Sequence, residues 1–158
     1  MKLLDFIEPQ AIVPSLTSTF RDDAIAELFA ALVGAGMINE ETSRELMAKV
    51  LEREKRDSTG FGMGIAVPHT KHVKVTKMMA AVGISRKGID FQSLDRQPVY
   101  SIILLLSPAD KPEEHLQAME AIFTCLNRDS FRRSLRNAEN AEAVVELLTE
   151  ADAQRQAW

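Results

Sequence analysis

The chain has little of several features that would restrict its function class. It contains one cysteine, Cys125, so no disulfide can form within its 158 residues. No apolar run approaches the ~18 residues of a membrane helix, and no basic start with a long apolar segment opens the chain. These absences exclude a disulfide-stabilised scaffold and direct membrane insertion, and they predict a cytoplasmic protein.

Excess positive charge is also missing. Nineteen basic residues face 23 acidic ones, and without a basic stripe the sequence predicts no nucleic-acid binding. An apolar fraction of 46% and a charged fraction of 27% are typical of a globular protein. The length suits a single domain over residues 1–158 with its own buried core, and we expect the tail at 151–158 to fray.

Short apolar runs alternate with helical patterns along the chain. Runs at 11–13, 65–67, 78–85 and 99–106 predict strands, and the last run, the most strongly apolar, is expected to be central. One helix is predicted up to Gly34, a second from Asn39 to about Arg53, and a third from Pro112, with two short helices after it. This order predicts an α/β fold with a helix-covered sheet of about four or five strands, parallel or mixed.

One segment, residues 52–69, combines charge, alternating glycines and a closing Pro-His pair. Gly60, Gly62 and Gly64 lack side chains, which would let a ligand approach the main chain closely. A short buried strand follows, and Pro68 ends it and holds His69 in a defined turn. Because histidine can act as nucleophile, base or ligand near neutral pH, His69 is the candidate reactive group.

A second histidine, His115, falls in the first turn of a helix just after the strongest strand. Ligands of covered sheets bind beyond strand ends, so His69 and His115 can converge there. Arg53, at a helix end, could neutralise an anion with its forked guanidinium. These parts suit a phosphoryl group carried covalently on an imidazole nitrogen. The candidate phosphoryl-binding donors of the loop are Ser58, Thr59, Gly60, Gly62 and Gly64.

A known family shows the same arrangement of residues. The run Arg53-Glu54 … Ser58-Thr59-Gly60-x-Gly62-x-Gly64-Ile65-Ala66-Val67-Pro68-His69 resembles the active-site signature of the fructose/mannitol-type (type-2) IIA domains. These belong to the bacterial phosphoenolpyruvate-dependent sugar phosphotransferase system, and the family includes the nitrogen-regulatory IIA proteins. The resemblance covers essentially the whole chain, including the strand before Pro108 and the helix start at His115.

The resemblance implies a definite chemistry. His69 would accept a phosphoryl group, on its epsilon nitrogen, from an HPr-type phosphocarrier protein and pass it to a cysteine or histidine of a IIB domain. Arg53 would lie at the phosphoryl group, and His115 would be the second active-site histidine. The family fold is a mixed sheet flanked by helices. No metal or organic cofactor is implied, because the group travels as a phosphohistidine.

Two uses of such a carrier stay open. It could feed a sugar permease through a IIB partner, or it could regulate a target protein according to its phosphorylation state. A IIA domain with no IIB or membrane segment attached favours the regulatory use. Thr70 replaces the glycine usual in the family after the histidine, and Lys71 and His72 follow, which leaves the partner's identity open.

Two other classes compete with the phosphocarrier. His69, His72 and His115 could offer three imidazoles to zinc, although acidic ligands and a helical HExxH pattern are missing. Alternatively, a degenerate interaction module could keep His69 without transferring a phosphoryl group. We expect His72 to face solvent.

Overall fold

The computed structural model describes residues 1–156 and consists of one six-stranded sheet with helices on both faces. A short 3-10 turn at Leu3–Asp5 precedes the first strand. The strands are β1 (Ile7–Val13), β2 (Gly60–Gly62), β3 (Ile65–Ala66), β4 (His69–His72), β5 (Met79–Ile89) and β6 (Val99–Pro108). The helices are α1 (Arg21–Gly34), α2 (Glu40–Arg56), α3 (Pro112–Leu126), α4 (Asp129–Asn137) and α5 (Ala141–Gln156).

The sheet is mixed, with the order β1-β5-β6-β3-β2 and with β4 also paired to β6. Strand β6 is antiparallel to β5 and parallel to both β3 and β4. The predicted α/β class is confirmed, but four or five strands is too few. Strands β2 and β4 read Gly-Phe-Gly and His-Thr-Lys-His, so they pair through the backbone without an apolar pattern that the sequence could reveal.

Two short strands follow one another along a single edge of β6. Ile65 of β3 lies opposite Ser101, and His69 of β4 lies opposite Leu105. Between them, the carbonyl of Pro68 accepts a hydrogen bond from the Leu105 N–H at 3.0 Å. A proline has no N–H to continue the ladder, so it separates the two strands while its carbonyl keeps the register.

Strand β6 is central, as predicted, and it packs on both faces. Ile103 and Leu105 belong to the core that α3, α4 and α5 cover, whereas Ile102 and Leu104 belong to the core beneath α1 and α2. Successive side chains of a strand point to opposite faces, so burial on both faces requires an uninterrupted apolar run.

The helix ends follow local chemistry. The side chain of Asn39 caps α2 by accepting the Thr42 N–H at 2.8 Å. Pro112 occupies the first turn of α3, where its missing N–H would have no partner in any case. These two signals, visible in the sequence, place the first turn of α2 and the first turn of α3, and both helices contribute to the candidate site.

The expected fraying of the tail is wrong for residues 151–156. Helix α5 continues to Gln156, and Ala151 and Asp152 are buried. The Asp152 carboxylate accepts the backbone N–H groups of Leu3 and Leu4 at 2.7 and 3.2 Å, which fixes the helix to the 3-10 turn. Residues 157–158 lie outside the described residues, and the assignment of the chain to one domain stays a prediction. Over residues 1–156, none of the helices has the length and apolar character needed to cross a bilayer.

Candidate functional site

An open cavity of about 650 Å³ lies where α2 ends and where β4 and α3 begin. Three predicted site residues, Arg53, His69 and His115, line it together. The ring centroids of the two histidines are 5.6 Å apart. They meet because β4 runs parallel to β6, while α3 starts just beyond the end of β6. The convergence expected at the strand exits is therefore present.

The backbone fixes the tautomer of His69. Its Nδ1 lies 2.7 Å from the carbonyl oxygen of Val67. A carbonyl oxygen can only accept a hydrogen bond, so Nδ1 carries the proton and Nε2 carries the lone pair. The imidazole is thereby held with Nε2 as its nucleophilic nitrogen, the atom that the family resemblance implies.

The surroundings of His69 also favour its neutral form. Burial lowers the pKa of the imidazole below its usual value of 6.5, and the positive charges of Arg53 and Lys71 lower it further. The hydrogen bond to the Val67 carbonyl opposes this shift without reversing it. A lone pair on Nε2 is therefore present at neutral pH, which nucleophilic attack requires.

His115 is buried and is oriented by Ser107, the last-but-one residue of β6. Its Nδ1 lies 2.7 Å from the Ser107 hydroxyl. Burial, and then the neighbouring His69 and Lys71, lower the pKa of His115 to about 4, so the ring is neutral at pH 7. Ser107 is fully buried, and Nδ1 of His115 is the acceptor that residues 1–156 offer to its hydroxyl proton, so we assign the hydroxyl as the donor. That arrangement leaves Nε2 of His115 with an N–H to donate.

Basic side chains dominate the rest of the cavity. Arg53 is exposed and makes no side-chain hydrogen bond or ion pair with any group of residues 1–156, so its guanidinium can bind an anion. Lys49, Arg56 and Lys71 also line the cavity, and Glu52 is the acidic residue among the lining groups. The cavity thus joins a nucleophilic nitrogen to an excess of positive charge, which suits a phosphoryl group.

The structure does not bring the predicted loop donors to this cavity. The backbone N–H of Thr59 donates to the Glu54 carboxylate at 3.0 Å, and the Thr59 hydroxyl donates to the same group. The Ser58 hydroxyl donates to the carbonyl of Phe91 at 2.8 Å. Both side chains are therefore engaged within the fold, and their predicted contact with the phosphoryl group finds no support. Glu54 is buried beneath these donors, and burial raises the pKa of its carboxyl.

The glycines do not line the cavity either, because they pack against the connection between β5 and β6. A Cβ on Gly60 would lie 2.3 Å from the hydroxyl oxygen of Ser93, which leaves room only for hydrogen. Gly62 has a φ of +98° beside Asp95, a backbone conformation that side chains disfavour. The Gly64 carbonyl accepts the Tyr100 N–H at 2.8 Å. The alternating glycines permit close contact between two loops, and the prediction that they bind the phosphoryl group is not supported.

His72 is buried, contrary to the prediction that it faces solvent. Its Nδ1 accepts the Lys74 N–H at 3.0 Å, and its Nε2 lies 3.5 Å from the Glu45 carboxylate. These contacts turn the ring towards α2, away from the other two histidines. Over residues 1–156, no three histidine, cysteine or acidic side chains are placed to hold a metal ion. The three-histidine metal site therefore lacks the arrangement that it requires.

Two groups of the site were missed by reasoning from the sequence. Ser107 could have been noticed as a polar residue that directly follows the apolar stretch 102–106. The Val67 carbonyl has no sequence signal, because every residue carries a backbone carbonyl. Its role depends on the turn that brings it within 2.7 Å of the imidazole.

The sequence of the chain is similar to a known protein family and to several characterised proteins. The family model for the phosphoenolpyruvate-dependent sugar phosphotransferase system, EIIA 2, matches residues 5–151. A nitrogen regulatory protein from Bradyrhizobium diazoefficiens is 32% identical over 148 residues, which cover 94% of this chain and 95% of that protein. The fructose-specific EIIABC component of Bacillus subtilis is 30% identical over 152 residues, or 96% of this chain but 24% of that relative. The chain thus spans about a quarter of that longer protein.

Solved structures share the fold. The nitrogen regulatory protein IIA-Ntr from Neisseria meningitidis matches with a TM-score of 0.81 and 26% identity, over 91% of this chain and 97% of that one. The mannitol IIA protein from Escherichia coli matches with a TM-score of 0.73 and 22% identity, over 89% and 97% of the two chains. The same Escherichia coli protein in complex with phosphorylated enzyme IIB gives a TM-score of 0.74 at 21% identity, over 92% and 99%. These matches confirm the predicted mixed α/β fold.

Proposed function

Because the chain belongs to the EIIA 2 family of the phosphoenolpyruvate-dependent sugar phosphotransferase system, we propose that it is a phosphocarrier that holds a phosphoryl group on Nε2 of His69. Members of this family act as phosphotransfer components. The observation that carries the proposal is the 2.7 Å hydrogen bond from Nδ1 to the Val67 carbonyl, in a cavity lined by Arg53 and His115. That bond leaves one nitrogen of His69 nucleophilic.

The phosphoryl group is transferred from the donor to His69 without any proton transfer. The Nε2 lone pair attacks phosphorus on the donor's phosphohistidine, a new P–N bond forms, and the donor's P–N bond breaks. The donor ring leaves as a neutral imidazole, and the His69 ring becomes positively charged while it carries the phosphoryl oxygens. The Val67 carbonyl, which accepts from Nδ1–H, stabilises that ring charge. The step in the forward direction is then a matter of positioning and charge neutralisation.

Arg53 and His115 supply the neutralisation. A guanidinium can donate two parallel hydrogen bonds to phosphoryl oxygens, and Arg53 has no competing partner within residues 1–156. With the Ser107 hydroxyl donating to Nδ1, the ring proton of His115 lies on Nε2, from which it can donate to a phosphoryl oxygen. A neutral imidazole donor leaves the phosphoryl group less tightly bound than a second cation would. A carrier that must pass the group onward benefits from this moderate binding.

We propose two partners for the relay. An HPr-type phosphocarrier protein would donate the group, and a IIB domain or a regulatory target would receive or sense it. Support for a IIB partner comes from the Escherichia coli mannitol enzyme IIA, whose solved complex contains phosphorylated enzyme IIB. The nitrogen regulatory protein of Bradyrhizobium diazoefficiens, which aligns over 95% of its length, supports the regulatory use. A relay that starts from phosphoenolpyruvate would operate in the cytoplasm.

In the regulatory use, phosphorylation changes the charge of the docking face. The cavity carries Lys49, Arg53, Arg56 and Lys71 against Glu52. A phosphoryl group adds roughly −1.5 to −2 charges, which would cancel about half of this excess. A partner that binds the positive face would then lose affinity, whereas one that is repelled by it would gain access.

The first test is incubation with phosphoenolpyruvate, enzyme I and an HPr-type carrier, followed by intact-mass analysis. The wild type should gain one phosphoryl group that is lost in acid, and His69→Ala should gain none while keeping its circular dichroism spectrum. His72→Gln serves as the matched control and should be labelled as fully as the wild type, because its ring faces Glu45.

Each outcome separates the competing classes. Labelling of His69→Ala would show that another residue is the acceptor and would end the assignment. A folded wild type that no carrier labels would favour the degenerate interaction module. Stoichiometric zinc by elemental analysis of the purified protein would revive the metal site, which the position of His72 argues against.

A further inference from the structure

A second cavity, of about 400 Å³, lies at the other end of β6 from His69. It is bounded by the start of β6, by the turn before β3 and by α4. Ser101 of β6 lines it, and Ser101 is four residues before Leu105, the partner of His69. At ~3.3 Å per residue of strand, the two positions on β6 are about 13 Å apart. This cavity is therefore separate from the phosphoryl site.

Three arginines of α4, Arg132, Arg133 and Arg136, line the second cavity together with Asp95 and Asp129. The acidic groups are already engaged. Asp129 pairs with Arg132 at 3.4 Å and with Arg133 at 3.2 Å. Asp95 accepts the backbone N–H groups of Met63 and Gln97, each at 3.0 Å. No carboxylate among residues 1–156 pairs with Arg136, so its charge is not compensated within the cavity.

Arg136 is held in place by an aromatic ring. Its guanidinium carbon lies 3.5 Å from the centre of the Tyr100 ring, a stacked arrangement. Stacking occupies the face of the guanidinium and leaves the N–H groups along its edge free to donate. Tyr100 could hold an arginine for structural reasons alone, and a helix C-terminus such as that of α4 also favours a cation.

Ser101 contributes a second polar group to the wall of this cavity. The residue is 4% exposed, and its side chain lines the cavity. Its backbone N–H donates to the Gly64 carbonyl, but its hydroxyl has no hydrogen-bond partner among residues 1–156. The hydroxyl borders the open space of the cavity, so it is available to donate to a ligand there. Here the unpaired donor faces the same space as the uncompensated Arg136.

We propose that this cavity binds a small organic oxyanion, a molecule that carries a phosphate or carboxylate group. The oxyanion accepts hydrogen bonds from the guanidinium edge of Arg136 and from the Ser101 hydroxyl. Arg133, whose side chain is 71% exposed at the rim, adds charge. The apolar surfaces of Met63, Ile65 and Pro98 contact the body of the ligand. This site does not depend on phosphorylation of His69.

The test is a titration of the full chain, labelled with ¹⁵N, with three probes at constant ionic strength. The probes are inorganic phosphate, glycerol 3-phosphate and acetate, with sodium chloride as the blank. We expect saturable shifts of the Tyr100, Ser101 and Gly64 amides. A stronger response to glycerol 3-phosphate than to acetate identifies a phosphate ester as the ligand class, and the reverse order identifies a carboxylate.

Variants assign the response to the proposed donors. Arg136→Gln should weaken binding at least about tenfold, because a charge-assisted hydrogen bond is lost. Ser101→Ala should weaken binding by a smaller factor. This variant tests the site if Arg136→Gln fails to fold. Arg44→Gln, an exposed arginine on α2 away from both cavities, is the matched control and should bind like the wild type.

Three outcomes would overturn the proposal. These are shifts confined to the amides around His69 and His115, shifts that sodium chloride reproduces, and equal affinity in Arg136→Gln and the wild type. Since the titration needs no phosphoryl donor, its result is independent of whether His69 carries a phosphoryl group. Failure of the relay and failure of this site can therefore be told apart.

Discussion

The two halves of one short segment, residues 58–64 and residues 65–72, behave very differently. The first half, rich in glycine, packs against the loop between β5 and β6 and contributes nothing to the wall of the His69 cavity. The second half forms the edge strands β3 and β4 and places His69 in that cavity. The sequence pattern is continuous across both halves, but only residues of the second half line the cavity.

The difference shows that a glycine pattern beside a reactive residue need not bind the ligand. Gly60 is required because Ser93 approaches it too closely for any side chain. Close packing of the two loops fixes the start of β3, and the register of β3 and β4 on β6 then fixes His69. The first half thus acts on the site through the backbone, and the second half acts through side chains and the Val67 carbonyl.

The largest difference between the two halves should appear when a side chain of the His69 cavity is changed without altering the packing of the fold. Arg53→Gln should lower the rate of phosphoryl acceptance on the order of 100-fold, the cost of removing one charged donor from a transferring group. The free energy of unfolding should be unchanged, since Arg53 is exposed and unpaired within residues 1–156. The measurement is rapid-quench labelling of the variant from a phosphorylated HPr-type carrier.

Arg44→Gln, on the same helix, is the control for loss of charge and should transfer at the wild-type rate. If Arg53→Gln accepted the group as fast as the wild type, the positive charge of the cavity would have to act through Lys49, Arg56 or Lys71 instead.

The converse test is a substitution in the glycine-rich first half, residues 58–64, which packs against the loop between β5 and β6. Gly60→Ala should lower the free energy of unfolding by about 1–3 kcal/mol, because its Cβ would overlap the Ser93 hydroxyl. The rate of phosphoryl acceptance by the folded fraction should stay close to that of the wild type. Urea unfolding measures the first quantity, and labelling under native conditions measures the second.

Two further variants test whether the contact between Gly60 and Ser93 causes the loss of stability. Gly34→Ala, where a Cβ would meet nothing within 4 Å, should change stability by less than about 1 kcal/mol. Ser93→Gly combined with Gly60→Ala should recover part of the loss, because it removes the hydroxyl and Cβ that the new methyl would overlap. A slow but fully stable Gly60→Ala variant would contradict the comparison, since it would assign the loop a direct role in transfer.

A smaller effect should appear in the pH dependence of stability. The unfolded chain protonates His115 near pH 6.5, whereas the folded protein does so at about 4. Between these values the unfolded state binds more protons, so the His115 contribution is complete above pH 6.5 and is lost as pH falls towards 4. On going from pH 7 to pH 4.5, the wild type should lose on the order of 1 kcal/mol more than His115→Gln. Urea unfolding at the two pH values measures the difference.

Glu54, which accepts the Thr59 N–H, serves as a control because its contribution to stability should change with pH in the opposite direction. Burial raises the pKa of its carboxyl above 4.5, so the folded state binds more protons just above that pH. Its contribution to stability is therefore complete below pH 4.5 and falls as pH rises through the folded pKa. Glu54→Gln should remove this component. Equal pH slopes in the wild type and His115→Gln would mean that His115 is solvated in the folded protein.

Much of the fold could be predicted because its signals are local. The apolar run of β6, the cap at Asn39 and Pro112 at the start of α3 each lie within a few residues. The predictions failed for β2 and β4, which are paired strands without an apolar pattern, and for the continuation of α5 past Ala151. The partners of these elements are distant in the sequence, and Asp152, for example, binds the backbone at Leu3.

The candidate site divides in the same way. The sequence determined by itself that His69 follows a strand-ending proline, that Arg53 lies near the end of a helix and that His115 lies in the first turn of one, because each depends on local chemistry. Only the tertiary structure decided that these three share a cavity, that Nε2 of His69 bears the lone pair and that the glycine loop packs on Ser93 outside that cavity. Those features depend on which strand lies beside β6 and in what register, and long-range packing sets that pairing.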